Sequence, residues 1–225
     1  MTLLRQWGAV VRKDLLLELR SRQRLATMGG FAVLVAVLFN YALDQTLVDP
    51  QDVAAGLIWM TLIFAGVMGV GRTFELEAQD AAFQGVLLSP IPRDTLYLAK
   101  VTSNFILVLV VVGLVLGVFG LFFQLDYGDH PLTLIAILTL GALGFVALAT
   151  LFGAVSSGTT LGETLLPILV FPLLVPMVVF GTSATGRLLQ GRPVAEVGGQ
   201  LRMLAAFALV AVVAGAGLFR YVVED

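Results

Sequence analysis

The sequence has no cysteine and a single histidine, His130. Disulfides, thiolate metal sites and a prosthetic group attached through Cys-x-x-Cys-His are therefore excluded. The chain also lacks the His-Glu-x-x-His motif of zinc proteases and the Gly-x-x-x-x-Gly-Lys-[Ser/Thr] loop that binds nucleotide phosphates. Gly181 begins a stretch similar to a Gly-x-Ser-x-Gly nucleophile elbow, but the last glycine is missing. We predict no catalytic residue, no directly bound metal or cofactor, and no nucleic-acid partner.

Charge is also scarce, because only 12% of the residues are charged while 59% are hydrophobic. This composition is typical of an integral membrane protein. Crossing a bilayer takes roughly 20 apolar residues as a helix, and the alternation of a barrel strand is absent. Helices also satisfy their backbone within lipid, whereas an open sheet does not. We predict an all-α, polytopic membrane protein forming a single transmembrane domain, 1–225, with spans at 26–43, 53–71, 101–123, 132–155, 165–183 and 201–219.

The basic residues are distributed unevenly between the two sides of this six-span arrangement. One side carries only Arg187, Arg192 and Arg202. Because lysine and arginine are enriched in cytoplasmic segments, the other side is predicted to be cytoplasmic, with both termini and residues 72–100. That side carries ten basic residues: Arg5, Arg12, Lys13, Arg20, Arg22, Arg24, Arg72, Arg93, Lys100 and Arg220.

Residues 1–25 are predicted to form an amphipathic helix in the headgroup region of the membrane. Two acidic residues, Asp14 and Glu18, fall within or beside its apolar arc. Carboxylates that face lipid are costly, so we expect these two to contact either a partner protein or an arginine from elsewhere. The apolar stripe consists of Leu4, Trp7, Val11, Leu15 and Leu19, and the opposite face of Arg5, Arg12, Lys13, Arg20 and Arg24.

A charged insert, residues 72–100, lies between the second and third predicted spans. It is predicted to contain a short cytoplasmic coupling helix, 73–88, and a rigid turn, because Pro90 and Pro92 fix φ and disfavour helix before them. A new helix is expected near Asp94. Such an insert is typical of a membrane protein that takes mechanical input from a soluble partner. The predicted partner contacts are Phe74, Glu75, Glu77, Asp80, Phe83 and Gln84.

The fifth predicted span contains three prolines, Pro167, Pro172 and Pro176. They predict kinks tolerated within a helix bundle, and the alternative is a broken helix that lines a substrate path. In the third span, Gly113 and Gly117 form a Gly-x-x-x-Gly pair, which is a signal for close helix packing. Near its start, Asn104 is predicted to form a hydrogen bond between helices.

Several of these motifs carry a resemblance to known families. The amphipathic N-terminal helix, the six spans and an insert ending in Ser-Pro-Ile-Pro-Arg resemble ABC-2 type exporter permeases, whose insert contacts the ATPase. The closer resemblance is to the haem exporter protein B (CcmB) family, the permease-like subunit of the cytochrome c maturation system. That family commonly continues Gln-Asp with Gly-x-Leu-Glu, whereas this chain has Ala-Ala-Phe-Gln at 81–84. The resemblance is most specific at 17–20, 56–59, 72–101 and 166–176.

The resemblance implies a multi-pass protein of the bacterial inner membrane, in contact with lipid and forming a permease homodimer. A cytoplasmic CcmA-like ATPase would bind the ATP and contact the insert. The complex would handle haem together with CcmC-like and CcmD-like membrane subunits, and would release the haem-loaded CcmE-like chaperone. Two alternatives remain. One is an ABC-2 type exporter permease for another substrate, and the other is a membrane scaffold or transporter outside the ABC class.

Overall fold

A computed structural model describes residues 3–43, 47–79, 91–128, 130–157 and 162–224. Six of its helices are long and apolar enough to cross a membrane, so the predicted all-α, polytopic fold with six spans is confirmed. The described elements are α1 (Leu3–Ser21), α2 (Gln23–Ala42), α3 (Pro50–Gln79), α4 (Arg93–Phe123), α5 (Pro131–Ser157), α6 (Gly162–Leu189), a 3-10 helix (Val194–Val197) and α7 (Gly198–Glu224).

The helices around the charged insert are longer than the apolar runs alone indicate. Helix α3 continues through Thr73 to Gln79 without a break, so no separate helix begins at Thr73. Helix α4 begins at Arg93, after Pro92 adopts a non-helical backbone with φ −58° and ψ 139°. The backbone hydrogen bonds of a helix do not depend on side-chain polarity, so hydropathy alone does not mark where a helix ends.

Part of the predicted coupling helix lies outside the described residues. This applies to Asp80, Phe83 and Gln84, and to the rest of the segment 80–90. The backbone of α3 is described as far as Gln79, but the side chains of Phe74, Glu75 and Glu77 are not.

Helices α3 and α5 form the inside of the bundle. Helix α5 packs against α3, α4, α6 and α7, while α2 packs against α3 and α4, and α1 lies mainly along α4. Lipid offers no hydrophobic driving force between helices, so association depends on close contact. Large rings lie on glycines here: Trp59 contacts Gly141 and Gly181, and Tyr97 contacts Gly215.

Two predicted features of the spans have different outcomes. Helix α6 is continuous through all three of its prolines, so it is not a broken helix, and kinks at these positions stay a prediction. The glycine pair of α4 is exposed, because a Cβ added at Gly113 or Gly117 would meet nothing within 4 Å. The close packing that this pair predicts is therefore not found between described helices of the chain.

Candidate functional site

Buried polar and charged side chains from five helices meet at one end of the bundle. We call this set the polar cluster. Its members are at most 7% exposed, although most sit on segments otherwise apolar enough to lie within a membrane. Buried charges are rare unless they are paired, so such a cluster in a membrane protein is a candidate functional site. The polar cluster comprises Asp14, Glu18, Arg24, Thr73, Lys100, Asn104 and Thr150.

A sharp turn between α1 and α2, the α1–α2 elbow (Ser21–Gln23), directs one arginine into the cluster. Arg22 has a left-handed backbone, with φ 52° and ψ 11°. The elbow is closed by hydrogen bonds from Arg22 N to Glu18 O (2.7 Å) and from Ala26 N to Arg22 O (2.9 Å). Residues 1–25 are therefore not one helix, and the prediction that placed Arg24 on the exposed basic face is wrong. Arg24 begins a new helix and is only 6% exposed.

The carboxylate of Glu18 joins the two sides of the elbow. Its Oε2 lies 2.6 Å from Arg24 Nε, and its Oε1 accepts a hydrogen bond from the backbone N–H of Leu25 at 3.0 Å. The first N–H groups of a helix have no partner within the helix. Glu18 therefore pairs with a buried cation and also satisfies one free donor at the start of α2.

Arg24 carries the contacts onward to the other helices. Its Nη1 donates to Thr73 Oγ1 at 2.5 Å and to Asn104 Oδ1 at 3.3 Å. Thr73 Oγ1 also donates to Asn104 Oδ1 at 3.1 Å, and Asn104 Nδ2 donates to Thr150 Oγ1 at 3.2 Å. The prediction that Asn104 makes a hydrogen bond between helices is confirmed. One continuous chain of hydrogen bonds thus links α1, α2, α3, α4 and α5.

A second ion pair lies beside this chain and joins α1 to α4. Lys100 is fully buried, and its Nζ lies 3.0 Å from Asp14 Oδ2 and 3.3 Å from Oδ1. The half-exposed Lys13 reaches Asp14 Oδ1 at 3.1 Å. Lys100 thus donates a hydrogen bond to Asp14 Oδ1 and forms an ion pair with Oδ2. Removing two charges from water costs free energy that offsets most of their attraction, so such a pair adds little net stability. Its main effect is to select which groups become partners.

These pairs give the two unusual carboxylates partners inside the chain. Of the two expectations, the arginine is found for Glu18, and a lysine takes the same role for Asp14. Contact of Asp14 and Glu18 with another protein stays a prediction. Sequence reasoning missed Arg24 and Lys100, although Lys100 directly precedes an apolar span and so required a partner.

At the opposite end of the bundle, the polar groups of His130 and Tyr127 make hydrogen bonds that hold the backbone in place. His130 is exposed, and its carbonyl accepts hydrogen bonds from the N–H groups of Thr133 and Leu134 at the start of α5. The Tyr127 hydroxyl donates to Leu116 O. Burial raises the pKa of Tyr127 to about 12, so it stays a donor at neutral pH. Among the described side chains, no three of His, Asp or Glu are grouped to hold a metal ion.

An apolar pocket lies between α3, α4, α5 and α6. Its cavity volume is about 10 Å³, at the lower limit of the roughly 10–15 Å³ that a single buried water needs. It is therefore a packing gap and not a place for a large ligand. The lining residues are Trp59, Leu62, Ile63, Val108, Val112, Gly141, Ala142, Phe145 and Met177.

The six apolar helices define a multi-pass helical membrane protein. The sequence profile described as CcmB protein matches residues 5–219, nearly the whole chain. The chain therefore belongs to the CcmB protein family, as its motifs predicted.

Relatives with the name Heme exporter protein B are similar over most of their length. The protein of Pseudomonas aeruginosa is 28% identical over 191 residues, covering 83% of each chain. That of Paracoccus denitrificans is 26% identical over 179 residues, covering 80% of this chain and 82% of the relative. That of Escherichia coli K12 is 26% identical over 186 residues, covering 78% and 79%.

Proposed function

We propose that this chain is the membrane-spanning permease subunit of an ATP-driven, ABC-type complex that exports haem or releases a haem chaperone during c-type cytochrome biogenesis. The observation that carries this proposal is the family match over residues 5–219, together with relatives named as haem exporters. The six spanning helices agree with a permease role. The chain contributes no catalytic group in this proposal, because ATP is hydrolysed on a partner subunit.

The partner ATPase, which is CcmA-like, would contact the charged insert. The polar cluster supports this step, because it holds Thr73 near one end of the insert and Lys100 at the other. Between them, Phe83 would supply an aromatic anchor with charged residues around it, an arrangement common at protein interfaces. The remaining contacts would be Phe74, Glu75, Glu77, Asp80 and Gln84.

The complex would lie in the bacterial inner membrane with both termini of this chain in the cytoplasm. The basic residues of the N-terminal segment and of the insert support this orientation. Single cysteines at Gln79, Asp126 and Gln190 test it, because the chain has no other cysteine. Only those at 126 and 190 should react with an impermeant thiol reagent outside intact cells, and labelling at 79 would reverse the topology.

CcmC-like, CcmD-like and CcmE-like proteins and a second copy of this chain would complete the complex. Haem iron is usually bound by His, Met, Cys or Tyr. The one histidine, His130, is exposed and uses its backbone to start α5. We therefore propose that this chain handles haem without ligating it. His130→Ala should leave cytochrome c maturation intact, and loss of maturation at normal protein levels would contradict this.

Co-purification with the ATPase tests the coupling step. Phe83→Asp, or reversal of Glu75, Glu77 and Asp80 to lysine, should abolish ATPase association or uncouple hydrolysis from maturation. Insertion should persist because neither change touches a span. Leu47→Asp is a matched control, since Leu47 is 82% exposed and lies between the first two spans, outside both. Wild-type ATPase binding and maturation in both insert variants would refute the coupling role.

An exporter permease for another substrate is the second candidate, because six spans and a charged insert after the second span are also features of that class. The same experiment separates the candidates. Such a permease would need the insert for ATPase binding. Deletion of the whole permease, however, would leave cytochrome c maturation unchanged. A scaffold outside the ABC class would tolerate both insert variants.

A further inference from the structure

We infer that Glu18 and Arg24 are positioning residues that fix the angle of the α1–α2 elbow and tie it to α3 and α4. Displacement of the charged insert would then move α1, α2 and the ends of α3 and α4 that flank the insert together. The structural part of this inference stands on the contacts alone. Its consequence for transport rests on the permease function proposed above.

The first step is that the backbone by itself leaves the elbow weakly defined. Only Arg22 separates the two helices, and its left-handed conformation is one that residues other than glycine adopt at a cost. Helix α1 makes few direct contacts with α2 and packs mainly along α4. The angle between α1 and α2 therefore needs a side-chain contact across the elbow.

Glu18 supplies that contact from the α1 side. Its two oxygens bind different groups of α2, the Arg24 side chain at 2.6 Å and the Leu25 backbone at 3.0 Å. Two contacts in different directions define an orientation, whereas one contact defines only a distance. Since Glu18 is 2% exposed, water does not replace these contacts.

Arg24 supplies the connection from the elbow to the spans. The planar guanidinium group has donors in fixed directions, so Nε faces Glu18 while Nη1 faces Thr73 and Asn104. A lysine has a single donor atom and does not reach both sides. Because Thr73 lies on α3 at the start of the charged insert, a shift of the insert is passed through Arg24 to α1.

One ion pair joins α1 to the opposite end of the insert, and one packing contact joins α1 to the apolar core. Asp14 pairs with Lys100, which is the last residue of the charged insert. Trp7, on the same face of α1, packs against the apolar core. The N-terminal helix is therefore held at both ends of the insert, and it is not only an anchor in the lipid surface.

Spin labels on introduced cysteines measure the elbow directly in the full chain in membranes. Cysteines replace Arg12 on α1 and Val33 on α2, both exposed, and the label distance is measured by pulsed electron resonance. Glu18→Gln should roughly double the width of the distance distribution, because a neutral amide no longer pairs with the buried guanidinium. The matched control is Arg20→Gln, which removes an exposed charge of α1 outside the polar cluster.

A second variant keeps the test valid if Glu18→Gln does not fold. Glu18→Leu combined with Arg24→Met removes both charges and leaves no buried ion alone, so folding should persist while the elbow loses its contacts. A wild-type distance distribution in this double variant would overturn the inference. Arg24→Lys should give an intermediate width, since it keeps the charge but loses the links to Thr73 and Asn104.

Cytochrome c maturation in cells that lack the native gene gives the functional readout. The double variant should lower maturation at least about tenfold at normal protein levels, while Arg20→Gln leaves it unchanged. A widened distance with normal maturation would overturn the link between the elbow and transport. If the unmodified chain shows a narrow distance but no maturation, the proposed function fails while the role of Glu18 and Arg24 in the elbow is upheld.

Discussion

The polar end and the apolar middle of this bundle are held together by different kinds of contact. At the polar end, buried charges on α1 and α2 have specific partners, such as Lys100 for Asp14 at 3.0 Å. In the middle, a ring lies directly on glycine backbone. A Cβ at Gly141 would lie 2.1 Å from the Trp59 ring, and one at Gly181 would lie 2.3 Å away.

This difference determines which part of the molecule is able to move. A ring between two helix backbones leaves no free space, so the middle must keep its shape or separate entirely. Ion pairs and hydrogen bonds at the polar end join named groups and do not fill a surface, so the joined helix ends are able to shift as one unit with their partners kept. Movement that starts at the charged insert is therefore expected to displace the polar end while the Trp59 region stays constant.

The largest expected effect comes from removing one member of a buried ion pair at the polar end, which leaves the other charge buried without its partner. Lys100→Met should lower the free energy of unfolding by about 3 kcal/mol, because among the described residues Asp14 then keeps only the half-exposed Lys13 as an ion-pair partner. Adding Asp14→Leu should recover most of this loss, since neither member of this buried pair then remains as an ion. Thermal unfolding in detergent micelles measures both. Equal instability of the single and double variants would show that packing, not charge pairing, dominates at this end.

The next effect tests the tight contacts of the middle. Gly141→Ala should cost about 1–3 kcal/mol of stability, because the new methyl group overlaps the Trp59 ring. Gly113→Ala makes the same chemical change on α4 where nothing lies within 4 Å, so it should be neutral or slightly stabilising. The midpoint of thermal unfolding compares the two. Similar midpoints for both variants would mean that the space beside Gly141 accommodates a methyl group, and that the middle of the bundle is not tightly packed there.

The smallest effect concerns the backbone at the elbow. Arg22 has φ 52°, which glycine adopts freely and a β-branched residue strongly resists. Arg22→Val should therefore be less stable than Arg22→Gly by about 1–2 kcal/mol. Both changes remove the same charge, so lipid contacts are matched. If the two variants unfold at the same temperature, the left-handed turn is not a feature of the folded protein.

The sequence predicted the six spanning helices and a helix start near Asp94, because hydropathy and proline chemistry are local properties. It also marked Asp14 and Glu18 as out of place on an apolar face. It did not predict Arg24 as a buried partner, since one left-handed residue at Arg22 turns the chain and no periodic pattern marks such a turn. The contact of Trp59 with Gly141 was also missed, because it joins residues distant in the sequence.

The pairing of Asp14 with Lys100 also has a consequence for how the protein is made. The two residues are 86 positions apart in the chain, so Asp14 is synthesised about 4–17 s before its partner at roughly 5–20 residues per second. During that interval α1 holds an acidic side chain with no buried cation to receive it. The N-terminal helix is therefore expected to wait at the membrane surface and to dock last among the first four helices. Its docking would complete the contacts that the first four helices make with one another at the polar end.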